Sequence, residues 1–246
     1  MLLRLTIAFL ITCGTLVAQV PTNDTGKLFQ KKITSIELIN IGASMPFSDF
    51  GNREKSATSG FAIPGIKLDA GYNIQLYEHL GIKSMLMYQN NQMDDHKYKK
   101  DLIAENPVNS YTISSGGWNN ISALFGANAN FNLGESYHVQ PYLLLGFNYC
   151  ISPNIDVTVS DSLKTISTIL QKRGQTTAFC YAAGLDFKAD LVKNIQFTLG
   201  FNYFNTDLKF NKIRVENSYK NSVYEFSAYQ PVQTLGFKIG LVKILN

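Results

Sequence analysis

Residues 66–76 read IKLDAGYNIQL. Ile66, Leu68, Ala70, Tyr72, Ile74 and Leu76 fall on one parity, and Lys67, Asp69, Gly71, Asn73 and Gln75 on the other. Alternation with period two puts successive side chains on opposite faces of an extended strand. One face is therefore apolar throughout, and the other is polar or glycine.

The same pattern recurs along the chain. Ile121, Ala123, Phe125, Ala127, Ala129 and Phe131 alternate with Asn120, Ser122, Leu124, Gly126, Asn128 and Asn130. Phe197, Leu199, Phe201 and Tyr203 alternate with Gln196, Thr198, Gly200 and Asn202, and Leu235, Phe237, Ile239 and Leu241 with Thr234, Gly236, Lys238 and Gly240. Leu143, Leu145, Phe147 and Tyr149 oppose Leu144, Gly146, Asn148 and Cys150. Only the segments near 35–45 and 81–90 are less regular, the second because Met85 and Met87 blur its faces. The pattern predicts eight strands, over residues 34–45, 61–76, 81–91, 118–133, 138–152, 176–190, 194–206 and 224–243. Tight turns at 77–80, 134–137 and 191–193 alternate with long polar segments at 46–60, 92–117, 153–175 and 207–223. Three short and four long connections fit an eight-stranded antiparallel up-and-down β-barrel over residues 34–246, with both termini on the short-turn side.

The composition selects the solvent of that barrel. Charged residues are 16 % of the chain, against roughly 25 % for an ordinary soluble domain. Aromatics are 12 %, and the mean hydropathy is −0.04. Disorder needs high charge and few aromatics, so it is excluded. After the N-terminus no apolar run is long enough for a transmembrane helix. The polar faces are rich in Gly, Asn, Ser and Gln, which suit a crowded, hydrated interior. The apolar faces carry Phe, Tyr, Leu and Ala in unbroken stripes, as a lipid-facing wall does. Closure leaves no edge and satisfies the backbone inside the bilayer. Tyr77, Tyr88, Trp118, Tyr137, Tyr142, Tyr149 and Tyr203 fall near strand ends and are expected in the interfacial belts. A secreted soluble β-barrel binding an apolar ligand, with its apolar faces turned inward, is the alternative.

The first residues, MLLRLTIAFLITCGTLVAQ, give a basic Arg4, an apolar run from Leu5 to Val17 and a cleavage site near Ala18-Gln19. They read as a secretory signal peptide over 1–19, followed by a short periplasmic segment over 20–33. A rival reading takes Leu10-Ile11-Thr12-Cys13 as a lipoprotein box. Removing Arg4 lowers the formal net charge from +4 to +3, too mild to argue for nucleic acid. Cys13 leaves as well, so Cys150 and Cys180 remain.

Four stretches, IPGIKLDAGYNIQLYEHLGIKSMLMYQN (63–90), NNISALFGANANFNLGESYHVQPYLLLGFNYCIS (119–152), AAGLDFKADLVKNIQFTLGFNYFNTDL (182–208) and QTLGFKIGLVKIL (233–245), carry a resemblance. In order and layout they resemble the small outer-membrane β-barrel family of Bacteroidetes-type bacteria, often labelled PorT-like. The resemblance implies a location in the outer membrane of a Gram-negative cell and a structural or interaction role in the cell envelope, or one assisting secretion. Such barrels usually end on an aromatic residue that the barrel-insertion machinery reads. This chain ends Lys243-Ile244-Leu245-Asn246, leaving Phe237 and the alternation after it as the terminal signal.

No constellation in the sequence points to catalysis, a metal or a cofactor. His79, His96 and His138 are scattered, without ligand spacing. His96 beside Asp94 and Asp95 is the one place that imitates a hydrolytic group, and a polar loop accounts for it. The expectation is a non-enzymatic monomer. Its partners would be outer-membrane lipid and lipopolysaccharide, the insertion machinery and a protein at the external loops. Lys67, Asp69, Asp186, Lys188 and Lys238 fall on the lumen face. They are expected to form a buried charge network, since an unpaired ion there costs several kcal/mol. Lys238 and Asp69 flank strand one and are expected to approach across it. An eight-stranded barrel is just wide enough for its side chains, so a narrow transport channel is the second reading. Cys150 and Cys180 face inward, and a hairpin centred near residue 165 would set them opposite, which permits a disulfide; two reduced small side chains in the lumen are the favoured reading.

Overall fold

The structure, a computed structural model, describes residues 34–54, 56, 58–160, 166–218 and 221–245. The signal peptide and the periplasmic segment expected before residue 34 lie outside the described residues. Twelve strands form one antiparallel sheet: β1 (Thr34–Pro46), β2 (Gly65–Gln75), β3 (Leu80–Gln92), β4 (Ser110–Ser115), β5 (Gly117–Ala129), β6 (Phe131–Asn132), β7 (Tyr137–Ile151), β8 (Ile155–Ser160), β9 (Ile166–Gln171), β10 (Gln175–Val192), β11 (Ile195–Asn217) and β12 (Ser222–Leu245). Among the described residues two helices, α1 (Ser48–Gly51) and α2 (Asp95–Glu105), lie in connections on the same side. Neither is long and apolar enough to cross a membrane, which says nothing of strands.

Eight of the strands close a ring in the order β1-β2-β3-β5-β7-β10-β11-β12 and back to β1. The closing ladder runs from Thr34↔Leu245 to Pro46↔Thr234. The expected count of eight is therefore corrected to twelve among the described residues. The other four strands are short. β6 is split from β5 at Asn130, whose N–H donates to the His79 carbonyl instead of the ladder.

β4, β8 and β9 lie in segments expected to be loops. They pair β4–β8, β8–β9 and β9–β11, and extend the wall beyond the ring on the long-connection side. The segment 207–223 is likewise no loop, since β11 and β12 run on as one hairpin with only 218–221 between them. Its alternation persists as Leu208, Phe210, Ile213 and Val215, with a register shift between Phe210 and Ile213. Charged Lys209, Lys212, Arg214 and Glu216 fill the other face, which masks the strand in the sequence. Crossing the bilayer takes about 9–11 strand residues. The 23 and 24 residues of β11 and β12 therefore project well past it.

The faces are unambiguous. Ile66 is 62 % exposed on β2, while its neighbour Lys67 is 0 % exposed. Ile41, Leu86, Ile121, Phe125, Leu145, Phe147, Phe179, Leu235 and Ile239 all point outward and form the apolar band. On its outer margin, hydrogen bonds join Tyr88 Oη and Asn90 Nδ2 to Asn119 Oδ1 (2.8 and 2.9 Å), and Tyr149 Oη to Gln175 (2.9 Å). Tyr77 and Tyr137 are exposed at the opposite, short-turn end. Two expected belt residues are corrections: Tyr142 and Trp118 are buried in the lumen. Their parity matches Leu144 and Asn120, and parity, not aromatic character, decides the side.

Candidate functional site

The lumen is the site, and three layers fill it. The middle one is ionic. It draws Glu37 from β1, Lys67 and Asp69 from β2, Lys83 from β3, Asp186 and Lys188 from β10, and Lys238 from β12. Lys83 Nζ lies 2.6 Å from Glu37 Oε1 and 2.7 Å from Asp186 Oδ2. Lys238 Nζ touches Glu37 (3.3 Å), Asp69 (3.4 Å) and Asp186 (3.3 Å). Lys67 pairs with Asp69 at 3.3 Å and donates to Asn202. Lys188 pairs with Glu37 at 3.7 Å and donates to Gln140 Oε1 at 2.7 Å. Each carboxylate thus faces at least two ammonium groups, which repays the several kcal/mol that burial takes from each ion. The Tyr142 ring lies beneath two of these cations, 4.4 Å from Lys83 Nζ and 5.8 Å from Lys238 Nζ to its centroid, a geometry attractive to both.

All five residues expected in the network stand in this one layer, and Lys238 meets Asp69 across β1. Glu37 and Lys83, its two central members, were missed. The β1–β2 register shifts between Glu37 and Asn40, so parity counted from Asn40 puts Glu37 on the wrong face. Lys83 shares its face with Met85 and Met87, which hid the polar parity of β3. Glycine makes the room: a Cβ on Gly71 would lie 3.3 Å from Glu37 Oε2, and one on Gly200 would collide with the Asp186 carboxylate and the Lys238 stem.

Toward the long-connection side a large apolar cluster joins the lining, beside buried Gln89, Asn91, Asn120 and Asn148. Met85, Met87, Leu124, Leu144, Ala182, Phe204, Leu208 and Val232 form one buried cluster with Phe50, Ala62, Trp118, Phe210 and Ile213. Phe50 is carried into the mouth by α1 and meets the Trp118 ring edge-on at 5.8 Å. Trp118 Nε1 donates to the Gly60 carbonyl at 2.9 Å. Asp94 ties this plug to the next connection, because its N–H donates to the Phe61 carbonyl (2.8 Å) and its carboxylate meets Arg53 (3.3 Å). The polar inner faces suggested a hydrated lumen throughout. The apolar exceptions, such as Leu124 and Leu144, instead pack together in one cluster.

Toward the short turns the lining is polar again, with Asn73, Asn128, Gln140 and Gln196 buried. His138 lies there, 3.5 Å from Asp190 and 2.8 Å from Asn132 Oδ1. His79 stacks on Phe131. In the α2 connection, Asp94 Oδ1 accepts from the Lys97 N–H at 3.0 Å as the helix cap. Asp95 accepts from both the N–H and the Oγ of Ser115. Both carboxylates beside His96 are thus engaged in holding the loop. Among the described residues, no group of three or more His, Cys, Asp or Glu is placed to hold a metal.

Cys150 and Cys180 are free, buried thiols. The placement opposite one another does not occur, since Cys150 faces Thr176 and Cys180 faces Gly146. The hairpin is centred two residues earlier than expected. That sets the cysteines four ladder positions apart, about 13 Å, beyond the reach of a disulfide.

A closed antiparallel ring with an apolar outer band, an ion-paired lumen and one end extended is the geometry of a barrel that spans an outer membrane. The sequence model described as "Outer membrane protein beta-barrel domain" matches residues 36–228, most of the chain. The chain belongs to this family. It is an outer-membrane protein. Among solved structures, a major outer membrane protein from Thermus thermophilus is similar at TM-score 0.50 and 13 % identity, covering 88 % of this chain and 100 % of that one. Neisserial surface protein A is similar at TM-score 0.42 and 11 % identity, over 87 % and 99 % of the two chains. Ail, the attachment invasion locus protein of Yersinia pestis, is similar at TM-score 0.37 and 12 % identity, over 86 % and 97 %. The first of these supports the fold alone. No curated protein matched the chain.

Proposed function

We propose that the protein is a non-conducting, non-enzymatic barrel whose work is done at its external surface, as a structural and interaction element of the cell envelope. The observation that carries this reading is the double closure of the lumen. The layer around Glu37, Lys83 and Lys238 spends its charges on one another. The plug around Phe50, Trp118 and Phe210 packs ring against ring in the mouth above it. A conduit would need one of these layers to open. The external sheet and α2 supply the contact surface, with lipopolysaccharide and outer-membrane lipid at its margin and a protein partner above. A monomer suffices, because the ring closes on itself. A role in assisting secretion fits the same surface.

The deciding experiment is planar-bilayer recording of the refolded protein. The expected result is no discrete conductance step. Stable steps that persist in the purified protein would replace this reading with that of a narrow channel.

A further inference from the structure

Above the membrane band, β12 has one partner and one open edge. From Ser222 to Ala228 it pairs with β11, from Asn217↔Ser222 to Phe210↔Ala228. Its other neighbour, β1, joins only at Pro46↔Thr234. One further main-chain bond follows, from Phe47 N–H to the Gln233 carbonyl at 3.1 Å, and the chain turns away at Ser48, whose φ is +53°. Among the described residues nothing else pairs with the backbone of 222–228. Below that stretch, β12 lies beside α1 and the segment that follows, where Gln230 Nε2 donates to the Thr58 carbonyl at 3.0 Å.

Natural edges are blunted by lysine, proline, a bulge or a covering element. Residues 222–230, SVYEFSAYQ, contain neither lysine nor proline, Pro231 comes only at the foot of the edge, and the register shift of this hairpin lies at Asn211 and Lys212, on β11. The side chains are open on both faces. Tyr224 and Phe226 stand with Val215 and Ile213, and Tyr224 is 54 % exposed. Val223, 57 % exposed, and Glu225 stand on the other face, across from Glu216 and Arg214. Arg214 is already taken, because its Nε lies 3.0 Å from Glu216 Oε1, as Lys172 lies 3.5 Å from Glu216 Oε2. Glu225 therefore has no ion-pair partner among the described residues, and it stands at the middle of the open edge.

We infer that this edge captures an extended polypeptide segment from outside the cell envelope by strand addition. The segment would carry a lysine or arginine facing Glu225 and apolar residues at the alternate positions, over Tyr224 and Phe226. Only an extended backbone satisfies a row of alternating N–H and C=O groups. A second copy in the same membrane does not. Its β12 runs in the same direction, and a two-fold axis along the membrane normal sets identical residues opposite each other, donor against donor. This inference deepens the interaction role proposed above, and it fails separately, because conductance tests the lumen and peptide binding tests the edge.

The test uses the full barrel in detergent micelles and the labelled heptapeptides VTVKVTV and VTVEVTV, read by fluorescence anisotropy. VTVKVTV should bind saturably and VTVEVTV at least tenfold more weakly. Glu225→Lys should reverse that preference, and Phe226→Pro should abolish binding of both while the heat-modifiable gel migration of the barrel is kept. Should the proline variant fail to fold, the charge-reversal pair decides alone. The inference is overturned if VTVKVTV shows no saturable binding or if Glu225→Lys leaves the preference unchanged. Concentration-dependent dimerisation that Glu225→Lys abolishes would also overturn it, in favour of a second copy.

Discussion

Lys83 Nζ on β3 and Glu37 Oε1 on β1 meet at 2.6 Å across β2, over the bare backbone of Gly71. No pair of residues on adjacent strands makes this contact. It exists only because the ring is narrow and the intervening position lacks a side chain.

Lys83 also holds Asp186, so removing it takes the nearest cation from two buried carboxylates and leaves Lys238 to serve both. Lys83→Met should destabilise the barrel by about 3–5 kcal/mol. Urea unfolding followed by gel mobility measures it. The pair of substitutions Glu37→Met and Lys83→Met should cost less than the sum of the two single changes.

Gly200 lies where a side chain would displace Asp186 and Lys238. Gly200→Val should block formation of the compact, heat-modifiable species. The neighbouring outward substitution Leu199→Val, which changes only the lipid face, should fold normally.

Phe50 is the stopper of the plug and lies fully buried against Trp118. Phe50→Ala should cost about 3–5 kcal/mol if the gap does not collapse. Trp118 is the only tryptophan in the chain, so its emission reports directly. It should shift to the red and become open to acrylamide quenching. Unchanged quenching would show that the mouth is closed by something other than Phe50.

Cys150 and Cys180 are buried and about four ladder positions apart. In the folded protein neither should react with a maleimide, and both should react after unfolding in denaturant. Gel mobility of the thiol-blocked protein should be the same with and without reductant.

The sequence by itself determined the ring strands and, outside β1 and β3, their faces, because period-two alternation is a local consequence of extended backbone and needs no partner. Ile66 and Lys67 were assigned opposite sides from spacing alone, and the same reading identified Lys67, Asp69, Asp186, Lys188 and Lys238 as inward. The extent of the external sheet was not legible, since Arg214 and Glu216 on one face of β11 look like loop charges until Ile213 and Val215 are seen buried on the other. Tertiary structure decided everything that depends on register. The shift between Glu37 and Asn40 turns Glu37 into the lumen, and a hairpin centred two residues early separates Cys150 from Cys180. Alternation fixes the side a residue faces, whereas register fixes its height in the barrel. Ion pairs, plugs and thiols meet only at equal height, and that is set by the closure of the whole ring.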